Sequence, residues 1–339
     1  MRRIFLYMLK YESLQSDKNF KKGQKNMAKK YTFGVDVGGT TVKIGFFTDA
    51  GEPLRSFEIP TDKTDNGANI LSDIAASLKK CLKEEKSGFD EVIGIGMGLP
   101  GAVLDDGTVN RCINLGWGVF NAADKMSSLC GGVPVRCTND ANAAALGEMK
   151  AGGGRGYKNV FMVTLGTGVG GGLIIDGRII NGAFGAAGEF GHYIVNKDET
   201  DICNCGKRGC LEQYASANGI VRVAKKRLLE DDAPTILREA SPLTSKAIFD
   251  AAKEGDKIAL ELADGLGQYL GLALSYVAGV ADPEIFVIGG GVSKAGDILI
   301  NNIRKYYQEY AFHASRNTRF ALAELGNDAG MYGAAQLVL

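Results

Sequence analysis

The sequence carries no excess charge of either sign: 39 basic and 39 acidic residues leave a formal net charge of zero. That balance excludes recognition of nucleic acid or of a membrane surface by bulk electrostatics. No apolar run is long enough to span a bilayer, and the six-residue run in the opening MRRIFLYMLKYE is also too short for a signal-peptide core. Proline is scarce, with 7 residues against 47 glycines. The glycines cluster in short loops beside apolar runs, the pattern of tight turns and phosphate cradles and not of a linker.

What is present is the composition of a soluble globular protein, 45% hydrophobic and 23% charged, in 339 residues that suffice for about two domains. Residues 13–30 are polar and lysine-rich with no amphipathic period. Residues 1–29 therefore read as a disordered extension with Met27 as an alternative start, a basic helical arm being the other reading. Seven cysteines without a secretory signal fit the reducing cytoplasm, where metal binding is expected over disulfides.

Strand periodicity places Thr32–Val37 before a Gly38-Gly39 turn and a returning strand at Thr40–Phe47. The outline recurs at Val160–Leu165, with a glycine turn spanning Gly166–Gly172 and a return at Leu173–Ile175. Two such hairpins suggest duplicated α/β halves, with chance likeness between glycine-rich hairpins as the alternative. Helical spacing covers 70–86, 141–150, 214–230, 246–254, 257–278, 295–309 and 330–338, and further apolar strands fall at 92–97, 133–138 and 285–288.

The chemistry-bearing residues lie at the ends of these elements. DVGGTT sets Asp36 at a strand end, then Gly38, Gly39, Thr40 and Thr41. Glycines let backbone N–H groups approach phosphate oxygens, hydroxyls add donors, and the aspartate is a candidate Mg²⁺ ligand. Gly166, Thr167 and Gly168 offer a second cradle, and neither loop has the lysine ending of a Walker motif. Asn139 and Asp140 precede a helix. One suffices as an N-cap, which leaves the neighbour free to take a proton from a hydroxyl; spacing alone favours the cap.

Cysteine clusters once, in CNCGKRGCLEQ at 203–213. His192, Cys203, Cys205 and Cys210 make the Cys₃His set of a closed tetrahedral zinc site, with Gly206 and Gly209 letting the chain fold back. Such a site has no open position for water and is structural. The other histidine, His313, stands alone and reads as structural or exposed.

In order, DVGGTT, GLPG, NDANAAALGE, LGTGVGGG, E-x-G-H and C-x-C-G-x-x-G-C-x-E resemble the motifs of the ROK family of sugar kinases and repressors, from about Tyr31 to the C-terminus. NLGW and CNCGKRGCLEQYAS are similar to its bacterial glucokinase branch in particular. The resemblance implies an α/β fold of two actin-like (ribonuclease H-like) lobes around a cleft. Residues 30–147 with a returning 325–339 would form one lobe, and 148–324 the other, with its zinc-binding loop at 189–212.

The resemblance also implies roles. Asp140 would be the general base on a sugar 6-hydroxyl, with Asn139 on neighbouring hydroxyls. Gly98, Pro100 and Gly101 would line the sugar pocket, and Glu189, His192 and Glu212 would bind toward the anomeric end. Asp36 and the Gly38–Thr41 turn would face phosphate and Mg²⁺, with Gly166, Thr167 and Gly168 opposite and Gly289, Gly290 and Gly291 near the adenosine. ATP, Mg²⁺ and a structural Zn²⁺ are the implied cofactors, glucose or a related hexose the substrate, and a homodimer the assembly. Repressors of the family carry a helix-turn-helix before the DVGGT-type motif, and the 35 residues before Asp36 show no paired helices. A kinase is expected.

Overall fold

The structure, a computed structural model, describes residues 30–339; the expected extension at 1–29 lies outside them. The first half runs β1 (Tyr31–Val37), β2 (Thr41–Thr48), β3 (Pro53–Pro60), α1 (Ile70–Glu84), β4 (Val92–Leu99), β5 (Thr108–Cys112), β6 (Trp117–Asn121), α2 (Ala122–Leu129), β7 (Val135–Asn139) and α3 (Asp140–Ala151). The second runs β8 (Val160–Leu165), β9 (Val169–Ile175), β10 (Arg178–Ile179), α4 (Glu212–Ala215), α5 (Ala217–Arg227), α6 (Ser245–Lys253), α7 (Lys257–Ala281), β11 (Ile285–Gly289), α8 (Asp297–Tyr310) and β12 (Arg319–Leu322). The chain ends in α9 (Ala329–Gln336).

The duplication is visible in the sheets. One has the order β3-β2-β1-β4-β7, the other β10-β9-β8-β11-β12. In each, an antiparallel three-strand meander is followed by two parallel strands on the far side of its first strand. Parallel pairing requires crossovers, and helices supply them. Each sheet has its own core. In the first, the amphipathic stripe of α1 (Ile70, Ile74, Leu78, Leu82) packs with Phe33, Val35 and Ile95. In the second, the buried face of α7 (Leu262, Leu266, Leu270, Leu274) packs with Phe286 and Tyr307.

Helices α3 and α9 lie side by side between the sheets. A methyl group at Gly147 would overlap the Ala329 carbonyl, and one at Gly333 the Ala143 carbonyl, so the two backbones touch. Much of the glycine excess serves such close approach inside helices and strands. The same reason corrects one sequence expectation: β9 begins at Val169, so Gly170–Gly172 are strand and the turn is only Gly166–Gly168. At Gly172 a side chain would collide with Ala141 and Ala145 of α3. The helix expected over 214–230 is also two, because Ser216 is extended and its Oγ caps the second by accepting from Gly219 N–H at 2.8 Å. A left-handed Gly296 likewise delays α8 to Asp297. Among the described residues no helix is long and apolar enough to cross a membrane.

Candidate active site

The parallel strands β1, β4 and β7 end on one side of the first sheet, and their C-terminal ends carry Asp36, Gly98–Gly101 and Asn139-Asp140. Parallel pairing therefore converts three separate motifs into one cluster, at the ends where open α/β sheets bind ligands. Gly98 lies between the two aspartates: a Cβ placed there would stand 3.6 Å from Asp140 Cα and 3.7 Å from Asp36 Oδ1. Pro100 is buried and Gly101 exposed.

Asn139 is the cap of α3. Its Oδ1 accepts from the N–H groups of Ala141 at 2.9 Å and Asn142 at 3.3 Å, while its Nδ2 donates to the Gly101 carbonyl at 3.0 Å. Asp140, the first residue of α3, is left with a single backbone partner, Ala141 N–H at 2.8 Å. Burial raises the Asp140 pKa above the ordinary carboxylate range, and the charge of Glu189 adds to this against the Ala141 hydrogen bond. Burial, then the charge of Asp140, push Asp36 up to about 7, with Lys43 pulling the other way. Lys43 is the cross-strand neighbour of Asp36 on β2.

The turn after Asp36 is closed by Gly38 N–H donating to the Thr41 carbonyl at 3.0 Å. Thr61 latches it from beyond β3, its Oγ1 donating to the Gly38 carbonyl at 2.7 Å and its N–H to the Thr40 carbonyl at 2.9 Å. Gly39 has open space around its Cα, and Thr40 is exposed. The second glycine turn is pinned by Ala217 N–H donating to the Gly166 carbonyl at 2.8 Å. Thr167 is exposed at its tip. Gly290, at φ 86°, backs directly onto Leu165, which sets the Gly289–Gly291 turn beside Gly166–Gly168. Gly291 borders a cavity of about 130 Å³ with Phe249, Lys246, Lys253 and Lys294.

The metal-ligand candidates converge. One ligand atom from each of His192, Cys203, Cys205 and Cys210 lies within 4.8 Å of all the others. Cys205 and Cys210 sulfurs are 3.5 Å apart, and His192 Nδ1 is 3.9 Å from Cys203 Sγ. Tetrahedral zinc with bonds of about 2.3 Å to sulfur and about 2.0 Å to nitrogen separates its ligand atoms by roughly 3.5–3.8 Å, so the donor set fits that ion. Burial, then hydrogen bonds to Cys205 and Cys203, push the Cys210 thiol up to about 12. A cluster of thiols this tight cannot ionise fully without a cation among them. The other ring nitrogen, His192 Nε2, faces Glu189 Oε2 at 4.0 Å.

Glu212 takes a different position from Glu189. Its Oε2 accepts from Val169 N–H at 3.0 Å, against the second glycine turn. It lines an opening of about 510 Å³ together with Asn114, Thr167, Gly168, Cys203 and Asn204. Asn114, from the NLGW stretch, faces this opening from the first half.

Three further residues had no sequence signal. Thr61 and Lys43 lie in ordinary strand contexts. Asn181 follows β10, and its Oδ1 accepts from Thr138 Oγ1 at 2.8 Å and Asn142 Nδ2 at 3.0 Å while its Nδ2 donates to Asp105 at 2.8 Å. It thereby ties the second half to the first beside α3. Only its position in space marks it.

The ROK family profile matches residues 32–339. The chain belongs to the ROK family. A glucokinase of Halalkalibacterium halodurans is 44% identical over 317 residues, covering 92% of this chain and 96% of that protein. A glucokinase of Streptomyces coelicolor is 37% identical, covering 90% and 96%. Among solved structures, a ROK family glucokinase from Streptomyces griseus in complex with glucose and AMPPNP superposes with a TM-score of 0.71 at 36% identity, covering 91% of this chain and 98% of that one. The fold of this ROK protein is accordingly α/β, with two actin-like lobes around a cleft.

Proposed function

We propose that this chain is an ATP-dependent glucokinase, transferring the γ-phosphoryl group of ATP to the 6-hydroxyl of glucose. The observation that carries the reading is the position of Asp140. It is a half-buried carboxylate without a cationic partner among the described residues, set between the glycine turn that follows Asp36 and the Glu189–His192 wall of the metal-ligand cluster. A base between a phosphate cradle and a hydroxyl-binding wall is what phosphoryl transfer to an alcohol requires.

Asp140 accepts the proton of the 6-hydroxyl as the phosphorus is attacked. Asn139, held on one side by α3 and on the other by the Gly101 carbonyl, orients the neighbouring hydroxyls. Glu189, His192 Nε2 and Glu212, all on the second lobe, recognise the hydroxyls toward the anomeric end. Backbone N–H groups of the Gly38–Thr41 and Gly166–Gly168 turns stabilise the phosphate oxygens, and the Gly289–Gly291 turn lies near the adenosine. Asp36 makes no side-chain hydrogen bond among the described residues and would hold Mg²⁺, which supplies charge neutralisation at the phosphates. His192, Cys203, Cys205 and Cys210 would hold a structural Zn²⁺. The lobe boundaries that suit this mechanism are 30–147 with 325–339, and 148–324.

The test is sugar-dependent ADP release from Mg-ATP with glucose, mannose, fructose, N-acetylglucosamine and N-acetylmannosamine in parallel, on the parent and on Asp140→Asn. The expected result is a kcat/KM for glucose about tenfold or more above the others. Asp140→Asn should lose roughly 10²–10⁴ in kcat with glucose affinity kept. A different preferred sugar would redirect the substrate, and near-parental turnover in Asp140→Asn would remove Asp140 from its role.

A further inference from the structure

Glu148 takes no part in the chemistry above, yet its carboxylate is fully buried on the helix that begins with Asp140. The chain crosses between the sheets twice, at 152–159 between α3 and β8 and at 323–328 between β12 and α9. Glu148 holds both crossings. Its Oε2 accepts from Gly153 N–H at 2.8 Å and from Glu324 N–H at 3.0 Å, and its Oε1 accepts from Leu325 N–H at 2.8 Å. Its main-chain carbonyl accepts from the N–H groups of Gly152 and Gly154, both at 3.0 Å. Nothing larger than glycine fits between: a side chain at Gly152 would overlap the carboxylate, and one at Gly153 would overlap the carbonyl of Leu322, the last residue of β12 before the other crossing.

A carboxylate taken out of water is tolerated only when hydrogen bonds replace its hydration, and here every replacement is a backbone N–H of an interlobe crossing. The two crossings cannot part without stripping bonds from the carboxylate. They can still turn about it, because N–H to carboxylate bonds are tolerant in direction and each crossing has glycine close by, Gly152–Gly154 in the first and Gly326, at φ 57°, after Leu325 in the second. We propose that Glu148 is the pivot of lobe closure: a positioning residue that keeps α3, and with it Asp140, in place while the second sheet swings toward the first.

The inference rests on the kinase reading for its kinetic arm and for the ligands of its scattering arm, and hydrogen exchange is independent of it. Glu148→Gln replaces one acceptor oxygen with a donor facing N–H groups, and Gly153→Ala pries the crossings apart while leaving the carboxylate intact. Both variants of the full chain are compared with the parent by backbone hydrogen exchange, by small-angle scattering with and without glucose plus a non-hydrolysable ATP analogue, and by steady-state kinetics. Exchange at residues 152–154 and 324–325 should quicken by about tenfold or more, and ligand-induced compaction should be lost. The kcat should fall about tenfold while the sugar KM moves less than about threefold.

A folded Glu148→Gln that loses exchange protection yet keeps compaction, and kcat within about twofold of the parent, assigns Glu148 a stability role only and overturns the proposal. If Glu148→Gln does not fold, Gly153→Ala decides on the same readings. If the parent turns over no hexose yet compacts with the two ligands, the kinase reading fails and compaction still judges the pivot; a parent that does not compact has no closure for Glu148 to serve, which overturns the proposal.

Discussion

At the residue scale the most consequential pair is Asp36 and Asp140, two carboxylates at the C-terminal ends of β1 and β7 on either side of β4. Folding brings them together, and the charge of Asp140 helps push Asp36 up to about 7 after burial has done most of the work. A carboxylate whose pKa rises on folding binds its proton more tightly in the native state. Stability is therefore lost as pH climbs from the unfolded value near 4 through about 7. Asp36→Asn removes that penalty together with the carboxylate proposed to hold Mg²⁺. Its melting temperature should exceed the parent's by about 2–4 °C at pH 8, with the gain vanishing near pH 3.5. Differential scanning calorimetry of the ligand-free protein at both pH values checks this, and an equal gain at both would show that Asp36 carries no raised pKa. The two aspartates were legible as motif residues. Their mutual effect was not, because sequence places them a hundred positions apart and only the parallel pairing of β1, β4 and β7 makes them neighbours.

At the scale of the element, the loop from Glu189 to Glu212 is short of regular structure and long in chain. A loop of this kind loses much conformational freedom on ordering, and a metal joining its two ends would offset that cost. Nδ1 of His192 turns toward the sulfurs and Nε2 toward Glu189, so the ring would transmit the position of a metal held there to Glu189, proposed above to bind sugar. Cys205→Ala should lose stoichiometric zinc, melt earlier and raise the sugar KM by about tenfold or more, with less effect on kcat. Elemental analysis and kinetics on the same preparation check it; full zinc content with a parental KM would separate the metal from recognition. The cluster was readable because four ligands fell within a short stretch. The direction of Glu212, toward Val169 N–H, was not, because it depends on where α4 starts relative to the glycine turn.

At the scale of the whole molecule, the two sheets meet through α3 and α9, whose backbones touch at Gly147 and Gly333. Close-packed interiors do not absorb an added methyl group without moving something, and here the obstacle is main chain on both sides. Gly333→Ala should cost about 3 kcal/mol or more by urea denaturation and should reduce activity by misplacing α3. A variant within about 0.5 kcal/mol of the parent would mean that the helices separate freely. Asn181 adds a lighter tie between the lobes, spanning Thr138, Asn142 and Asp105.

The sequence by itself determined the local matters: strands where apolar residues alternate or run together, glycine turns after β1 and β8, a capped helix after β7, and the identity of four side chains able to ligate a metal. It also carried enough ordered motif to name the family. These are properties of short stretches, written in spacing and residue type. Tertiary structure alone decided which glycines serve turns and which let backbones touch, how far a neighbouring carboxylate shifts Asp36, and that Glu148 gathers N–H groups from both crossings. Each of those depends on groups far apart in the chain meeting in space, and no local pattern records such a meeting.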